Sequence, residues 1–142
     1  MDGSRRKSVI VDEIFWPNGL TIDYTESKIY WADAKHHAIE KASFDGRDRK
    51  LITSKGVPHP FALTVFEDAI YWTDWHTKSI STINKKTGMG MQTIHASLQV
   101  PMDIQSRTCE DTPEKLLLFA RRKDIRLKLL NPRKQMDTLD MV

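Results

Sequence analysis

The sequence has a single cysteine, no long apolar run and no concentration of charge of one sign, and each shortage removes a class of protein. With Cys109 alone, no internal disulfide can staple the chain, and the count by itself points to a reducing compartment. The longest apolar run, Leu116 to Ala120, falls far short of the roughly 20 residues that cross a bilayer, so this segment is expected to make no direct membrane contact. The opening residues, Met1-Asp2-Gly3-Ser4-Arg5-Arg6-Lys7, also lack the apolar stretch of about 7 to 15 residues of a secretory signal. The net charge of +3 is dispersed over Arg5-Arg6-Lys7, Lys85-Lys86, Arg121-Arg122-Lys123 and Arg133-Lys134, each near acids or apolar strand residues. Nucleic acid is therefore not an expected partner, because it calls for one concentrated basic face.

Chemistry of a catalytic or metal-binding kind is equally sparse. His36 and His37 are adjacent and point to opposite sides of a strand or turn, while His59, His76 and His95 have no companion at ligand spacing, so no metal site is expected. There is no Gly-x-Ser-x-Gly, no phosphate loop and no base placed beside Cys109. No catalytic residue, no cofactor and no enzymatic activity follow from these residues.

What the sequence does have is a repeat. Tyr30-Trp31-Ala32-Asp33 returns 41 residues later as Tyr71-Trp72-Thr73-Asp74. Pro17-Asn18-Gly19-Leu20-Thr21-Ile22-Asp23 precedes the first copy, and Pro60-Phe61-Ala62-Leu63-Thr64-Val65-Phe66 precedes the second at an offset of 43. Phe44-Asp45-Gly46 echoes Met1-Asp2-Gly3, again 43 apart, so the sequence opens inside a repeat, and Val100-Pro101-Met102-Asp103-Ile104 restarts the cycle. A period near 40, with four short β-rich runs and an Asp-Gly or Thr-Gly turn before the last, describes a four-stranded propeller blade. The expected strands are 19–23, 28–33, 38–44 and 48–53 in one blade, and 61–66, 69–74, 79–84 and 91–95 in the next. Helical periodicity is sustained nowhere.

These residues resemble a known family, the low-density-lipoprotein receptor and its related proteins, whose six-bladed propellers repeat Tyr-Trp-Thr-Asp. Trp16-Pro17-Asn18-Gly19-Leu20, Tyr30-Trp31-Ala32-Asp33-Ala34-Lys35, His59-Pro60-Phe61-Ala62-Leu63 and Tyr71-Trp72-Thr73-Asp74-Trp75 look like the last blades of such a propeller in the Wnt-related branch. The resemblance implies an all-β partial propeller: residues 1–106 as the C-terminal part of one ring, with blades at about 16–54 and 59–98, and the ring not closed. Residues 107–115 resemble the remnant of an epidermal-growth-factor-like module whose other cysteines are absent, leaving Cys109 without its partner. Residues 116–142 resemble the start of a following propeller. The chain is then a fragment, an alternative product or a faulty gene model, and two blades alone are expected to be marginally stable because repeat units draw stability from their neighbours.

Function follows the same resemblance: an extracellular protein-binding module of a cell-surface receptor that takes secreted protein ligands, such as Wnt-pathway modulators, on one propeller face. The residues admit alternatives, a propeller-scaffold enzyme of the metal-dependent lactonase type or a non-functional truncated product, and an intracellular WD-type scaffold would suit the lone cysteine but not the repeat. Against the lactonase stand the expected inward first-strand positions Leu20, Ile22, Leu63 and Val65, with only Asp23 charged. Tyr30, Trp31, Asp33, Tyr71, Trp72 and Asp74 are expected to be structural, the rings packing between blades and the aspartates holding backbone or cross-blade hydrogen bonds. In an antiparallel meander the loop after the second strand and the loop into the first emerge on one face. That places Trp75, His76 and Lys35 beside Asn18, His59 and Phe61 as the ligand-binding candidates. Trp75 is the foremost of them, since it follows an aromatic pair that is already complete.

Overall fold

A computed structural model describes Ser4 and residues 6–109, 112–121 and 125–130, with side chains described as far as Ser106. No helix occurs among the described residues. Four strands, β1 (Pro17–Asp23), β2 (Lys28–Asp33), β3 (Ala38–Ser43) and β4 (Lys50–Thr53), form one antiparallel sheet in sequence order. A second sheet repeats the arrangement with β5 (Pro60–Phe66), β6 (Ala69–Asp74), β7 (Ser79–Asn84) and β8 (Gln92–His95). These are two complete propeller blades, with the two Tyr-Trp pairs on equivalent second strands. A third sheet of three strands follows, β9 (Asp103–Cys109), β10 (Thr112–Arg121) and β11 (Ile125–Leu130), with β10 in the middle.

The alternation of a strand turns each Tyr-Trp pair into an interface device. Successive side chains point to opposite sides of the sheet, so Tyr30 and Ala32 face blade 2 while Trp31 faces away from it. In blade 2 the same alternation aims Trp72 and Ile70 back at blade 1 and turns Tyr71 forward. The core between the blades is built accordingly from Tyr30, Ala32, Ile39, Val57, Leu63, Ile70, Trp72 and Ile83. A second core, Ala69, Tyr71, Ile80, Leu98 and Ile104, joins blade 2 to β9. Burial pushes the Tyr71 phenol up to about 12. Blade 1 can lie close to blade 2 because Gly19 carries no side chain: a Cβ there would sit 2.7 Å from the Phe61 carbonyl oxygen and 2.7 Å from Leu63 Cδ2.

Both first strands carry an irregularity, between Pro17 and Gly19 and between Pro60 and Leu63. In blade 2 the amide freed by it, that of Ala62, donates to Thr73 Oγ1 at 3.1 Å, which gives the threonine of the Tyr-Trp-Thr-Asp repeat a backbone to hold.

One expectation fails here. The first-strand positions Leu20, Ile22, Leu63 and Val65 are not one inward set: Leu63 is 5% exposed and Val65 packs against the inter-blade core, while Leu20 and Ile22 are 66% and 40% exposed. Alternation aims these side chains at the neighbouring blade, and no blade covers that flank of blade 1 among the described residues. Asp23, on the opposite side of the strand, is buried against blade 2.

The blade junction also holds an ion pair. Lys85, directly after β7, puts Nζ 2.5 Å from Asp23 Oδ2 and 3.2 Å from Glu26 Oε1, with the Lys85 and Asp23 side chains 4% and 5% exposed. Burial acts to raise the Asp23 carboxyl, but the Lys85 hydrogen bond and the amides of Glu26 and Thr25 hold it below the usual carboxylate range.

Candidate functional site

The two aspartates that end the repeated motif organise one face of the molecule. Asp33 is fully buried and accepts four backbone amides: Phe15 N at 2.8 Å on Oδ2, and Trp16 N, Lys35 N and His36 N at 3.4, 2.9 and 3.0 Å on Oδ1. It ties the chain entering β1 to the turn leaving β2. Burial would raise its carboxyl, and the amides, led by that of Phe15, bring it below the ordinary range. Asp74, 1% exposed, accepts His59 N at 2.9 Å and Thr77 N at 2.9 Å. The place of Phe15 is taken in blade 2 by Pro58, which has no N–H to give. Main-chain bonds from Ala34 N to the Trp16 carbonyl and from Trp75 N to the His59 carbonyl, both 3.0 Å, draw the two loop types together in each blade.

That clamp sets the side chains of the face. Trp75 stacks on both His59 (centroids 5.6 Å, planes 2° apart) and Phe61 (4.3 Å, 14°). Its indole Nε1–H donates to the Pro101 carbonyl at 2.8 Å, so the ring is half-buried and tied to the chain that opens the third sheet. Asn18 does the equivalent one blade earlier: Nδ2–H donates to the Pro60 carbonyl at 3.2 Å. Lys35 Nζ lies 5.4 Å from the Trp16 ring centroid, and Phe15 meets His36 edge-on at 4.7 Å. His76 is exposed beyond Trp75. Thus Trp75, His59 and Phe61 form one stack, Lys35 and Asn18 lie on the neighbouring blade's part of the same face, and His76 stands at the edge.

Tyr30, Trp31, Tyr71 and Trp72 are all within 2% of complete burial. The indole nitrogens of Trp31 and Trp72 are buried with no hydrogen-bond partner among the described residues. The tether of Trp75 to Pro101 and the Lys85–Asp23 pair escaped sequence reasoning. For Trp75 a signal existed, since an indole beside the restarting Pro101 repeat had a carbonyl within reach.

Along the innermost strands β1, β5 and β9 runs an open cavity of about 540 Å³, lined by Thr21, Leu63, Thr64, Asp103, Gln105 and Ser106 among others. Thr64 and Ser106 hydroxyls meet across it at 3.0 Å. Among the described residues that line it, Asp103 alone is ionisable. Among the described residues no group of three or more His, Cys, Asp or Glu side chains converges as a metal site would require. No helix of the described residues is long and apolar enough to cross a membrane.

Two four-stranded antiparallel blades, each with a Tyr-Trp pair on its second strand and an aspartate clamp at the strand's end, define an unclosed β-propeller of the YWTD type. The family model of the low-density lipoprotein receptor repeat class B matches residues 27–67. That match opens at the turn before β2 and closes after β5, so one sequence repeat takes in three strands of blade 1 and the first strand of blade 2. Over 74 residues, 52% of the chain, the protein is 60% identical to human low-density lipoprotein receptor-related protein 4, and over 88 residues, 62% of the chain, 41% identical to the Drosophila melanogaster vitellogenin receptor Yl. Each matched stretch is 4% of the relative's length. Among solved structures, a nidogen/laminin complex contains a chain that superposes with a TM-score of 0.69 at 21% identity, covering 94% of this chain and 54% of that one. A virginiamycin B lyase from Staphylococcus aureus superposes with a TM-score of 0.55 at 16% identity. At those identities the likeness is one of fold alone.

Proposed function

We propose that these residues are part of an extracellular protein-binding module of a Wnt-branch low-density-lipoprotein-receptor-related receptor, whose propeller face takes a peptide loop of a secreted protein. The observation that carries the reading is the His59–Trp75–Phe61 stack, a rigid aromatic platform on the face where Lys35, Asn18 and His76 are exposed. Aromatic anchors in such surroundings dominate binding energy, and rigid ones lose little entropy on binding. The receptor relatives favour a protein ligand over catalysis, and a lactonase-type site is disfavoured by a cavity with a single carboxylate among its described lining residues. The localisation on the outer side of the plasma membrane, the module remnant at 107–115 and the start of a further propeller at 116–142 belong to this same reading of a parent receptor.

Replacing exposed Lys35 or His76 by alanine in a complete six-bladed propeller should weaken capture of a secreted protein ligand several-fold and leave the melting temperature unchanged. Trp75→Ala should cost at least about 2 kcal/mol of binding per folded molecule. Its lost bond to Pro101 should also lower the melting temperature by a few degrees. Ligand affinity unchanged in all three would end the assignment of this face.

A further inference from the structure

We propose that Asn18 is a site of spontaneous deamidation, protected while blades 1 and 2 are joined and converted when the seam between them opens. The product is a covalent record of opening. Three observations meet at this residue. Asn18-Gly19 is the one asparagine-glycine pair in the chain, Asn84 being followed by Lys85 and Asn131 by Pro132. Asn18 is the extra residue of the irregularity in β1, passed over between the pairing of Pro17 with Asp33 and that of Gly19 with Ala32, and it is exposed. Its side chain is also the stitch to the next blade, Nδ2–H donating to the Pro60 carbonyl at 3.2 Å.

The seam itself imposes the labile pair. A Cβ at position 19 would lie 2.7 Å from the Phe61 carbonyl oxygen and 3.0 Å from Ala62 Cα, so only glycine fits without a shift of the main chain. Glycine also has the least shielded nitrogen, because no side chain obstructs its approach to a neighbouring carbonyl carbon. In blade 2 the amide at the equivalent place, that of Ala62, is bonded to Thr73 Oγ1; blade 1 has Ala32 where that threonine stands, and so no hydroxyl for Gly19. The equivalent pair in blade 2 is Phe61-Ala62, which has no side-chain amide to react.

In the reaction the Gly19 nitrogen gives its proton to water and attacks Asn18 Cγ. A Cγ–N bond forms, the Cγ–Nδ2 bond breaks, and Nδ2 leaves as ammonia with a proton returned from water. A water molecule then opens the cyclic imide, at Cγ to give aspartate or at the main-chain carbonyl carbon to give isoaspartate. One water enters, one ammonia leaves, and nothing is oxidised or reduced. The open cavity that both residues line admits the water. Closing the imide turns the main chain between Asn18 and Gly19, which joined blades resist through the strand pairs on either side, the Pro60 bond and the packing of Gly19. Either product has lost the donor to Pro60 and sets a carboxylate near that carbonyl oxygen. Isoaspartate also lengthens the main chain beside the close contact of Gly19 with Phe61. Conversion therefore opposes reclosure of the seam.

Peptide mapping by mass spectrometry on the 142-residue chain, held at mildly alkaline pH, should find the amide-to-acid mass gain at Asn18 and none at Asn84 or Asn131. The rate in concentrated urea should exceed that in native buffer by at least about tenfold, since opening precedes reaction. Leu63→Ala loosens the seam without altering the reacting pair and should raise the native rate several-fold. If that variant fails to fold, the parent chain in urea below its unfolding transition should show the same rise. When an aged sample is unfolded and refolded, converted chains should be depleted from the folded fraction. No conversion at Asn18 in urea, equal rates in urea and native buffer, a rate indifferent to loosening of the seam, or converted chains that refold as well as the parent would each overturn the proposal.

Discussion

Blade 1 and blade 2 have the same strands in the same order, yet equivalent residues in them meet different surroundings. Trp72 is sealed in the inter-blade core with Tyr30 and Ile39 of blade 1 and Ile83 of its own blade. Trp31, at the same position, reaches 2% exposure under a different cover: the Arg49 guanidinium lies 5.4 Å from its ring centroid. Arg49 is in turn held by a two-pronged pairing with Glu40 at 2.7 and 2.9 Å and by the carbonyls of Asp12 and Glu13. One step along the first strand, Leu63 is buried and Leu20 is not. A blade position is therefore a role that the adjoining unit completes, and the same residue type contributes core stability only where a neighbour is present.

Substitutions can break that comparison at its strongest point. Lys85→Ala leaves the Asp23 carboxylate buried at the blade junction without its cation, and losing one partner of such a pair costs about 3–5 kcal/mol. The double variant Lys85→Met with Asp23→Asn keeps an oxygen for the Thr25 and Glu26 amides and should recover most of the loss in chemical denaturation. Failure to recover would mean that the charges, and not merely their mutual neutralisation, hold the blades together.

Leu63→Ala and Leu20→Ala isolate the flank effect within one residue type. The first empties a site in the inter-blade core and should cost about 2–5 kcal/mol. The second trims a mostly exposed side chain and should stay within about 0.5 kcal/mol. Equal melting-point shifts for the two would show that the flank of blade 1 is covered in solution.

The aspartate clamps offer the finest comparison. Asp33→Ala strands more donors than Asp74→Ala, so within an expected range of about 1–3 kcal/mol for each the former should be the more destabilising. Because the Asp33 carboxyl is depressed in the fold, its contribution is fully present above the unfolded value of about 3.9 and disappears as pH falls through the lower folded value. Stability followed by urea titration from pH 6 downward should decline less steeply in Asp33→Asn than in the parent chain.

Much of this was legible in the repeat. The strand order, and the limits of the eight blade strands to within two residues, follow from the Tyr-Trp period and its turn residues, because a short antiparallel meander is fixed by local turns and alternation. β4 is shorter than expected, Lys50–Thr53 in place of 48–53, since Asp48 takes a left-handed turn conformation (φ 55°) and its carboxylate binds Ser43 and Lys28. The Asp23–Lys85 pair left no periodic trace: the residues are 62 apart, Phe66 replaces the aspartate in the next repeat, and a Lys-Lys run reads as solvated surface. The exposure of Leu20 was likewise illegible, because it depends on which blade stands alongside and not on the strand that carries it.

The bonds from Asn18 to the Pro60 carbonyl and from Trp75 to the Pro101 carbonyl both end on main-chain oxygen. Every residue type offers that acceptor, so the receiving blade can change its side chains there without releasing its neighbour, and the donor can be a short amide or a long indole as the local gap demands. Divergence between repeats is thereby decoupled from the seam between blades: the exposed side chains of this face can change, blade by blade, while the stitch continues to find its hold.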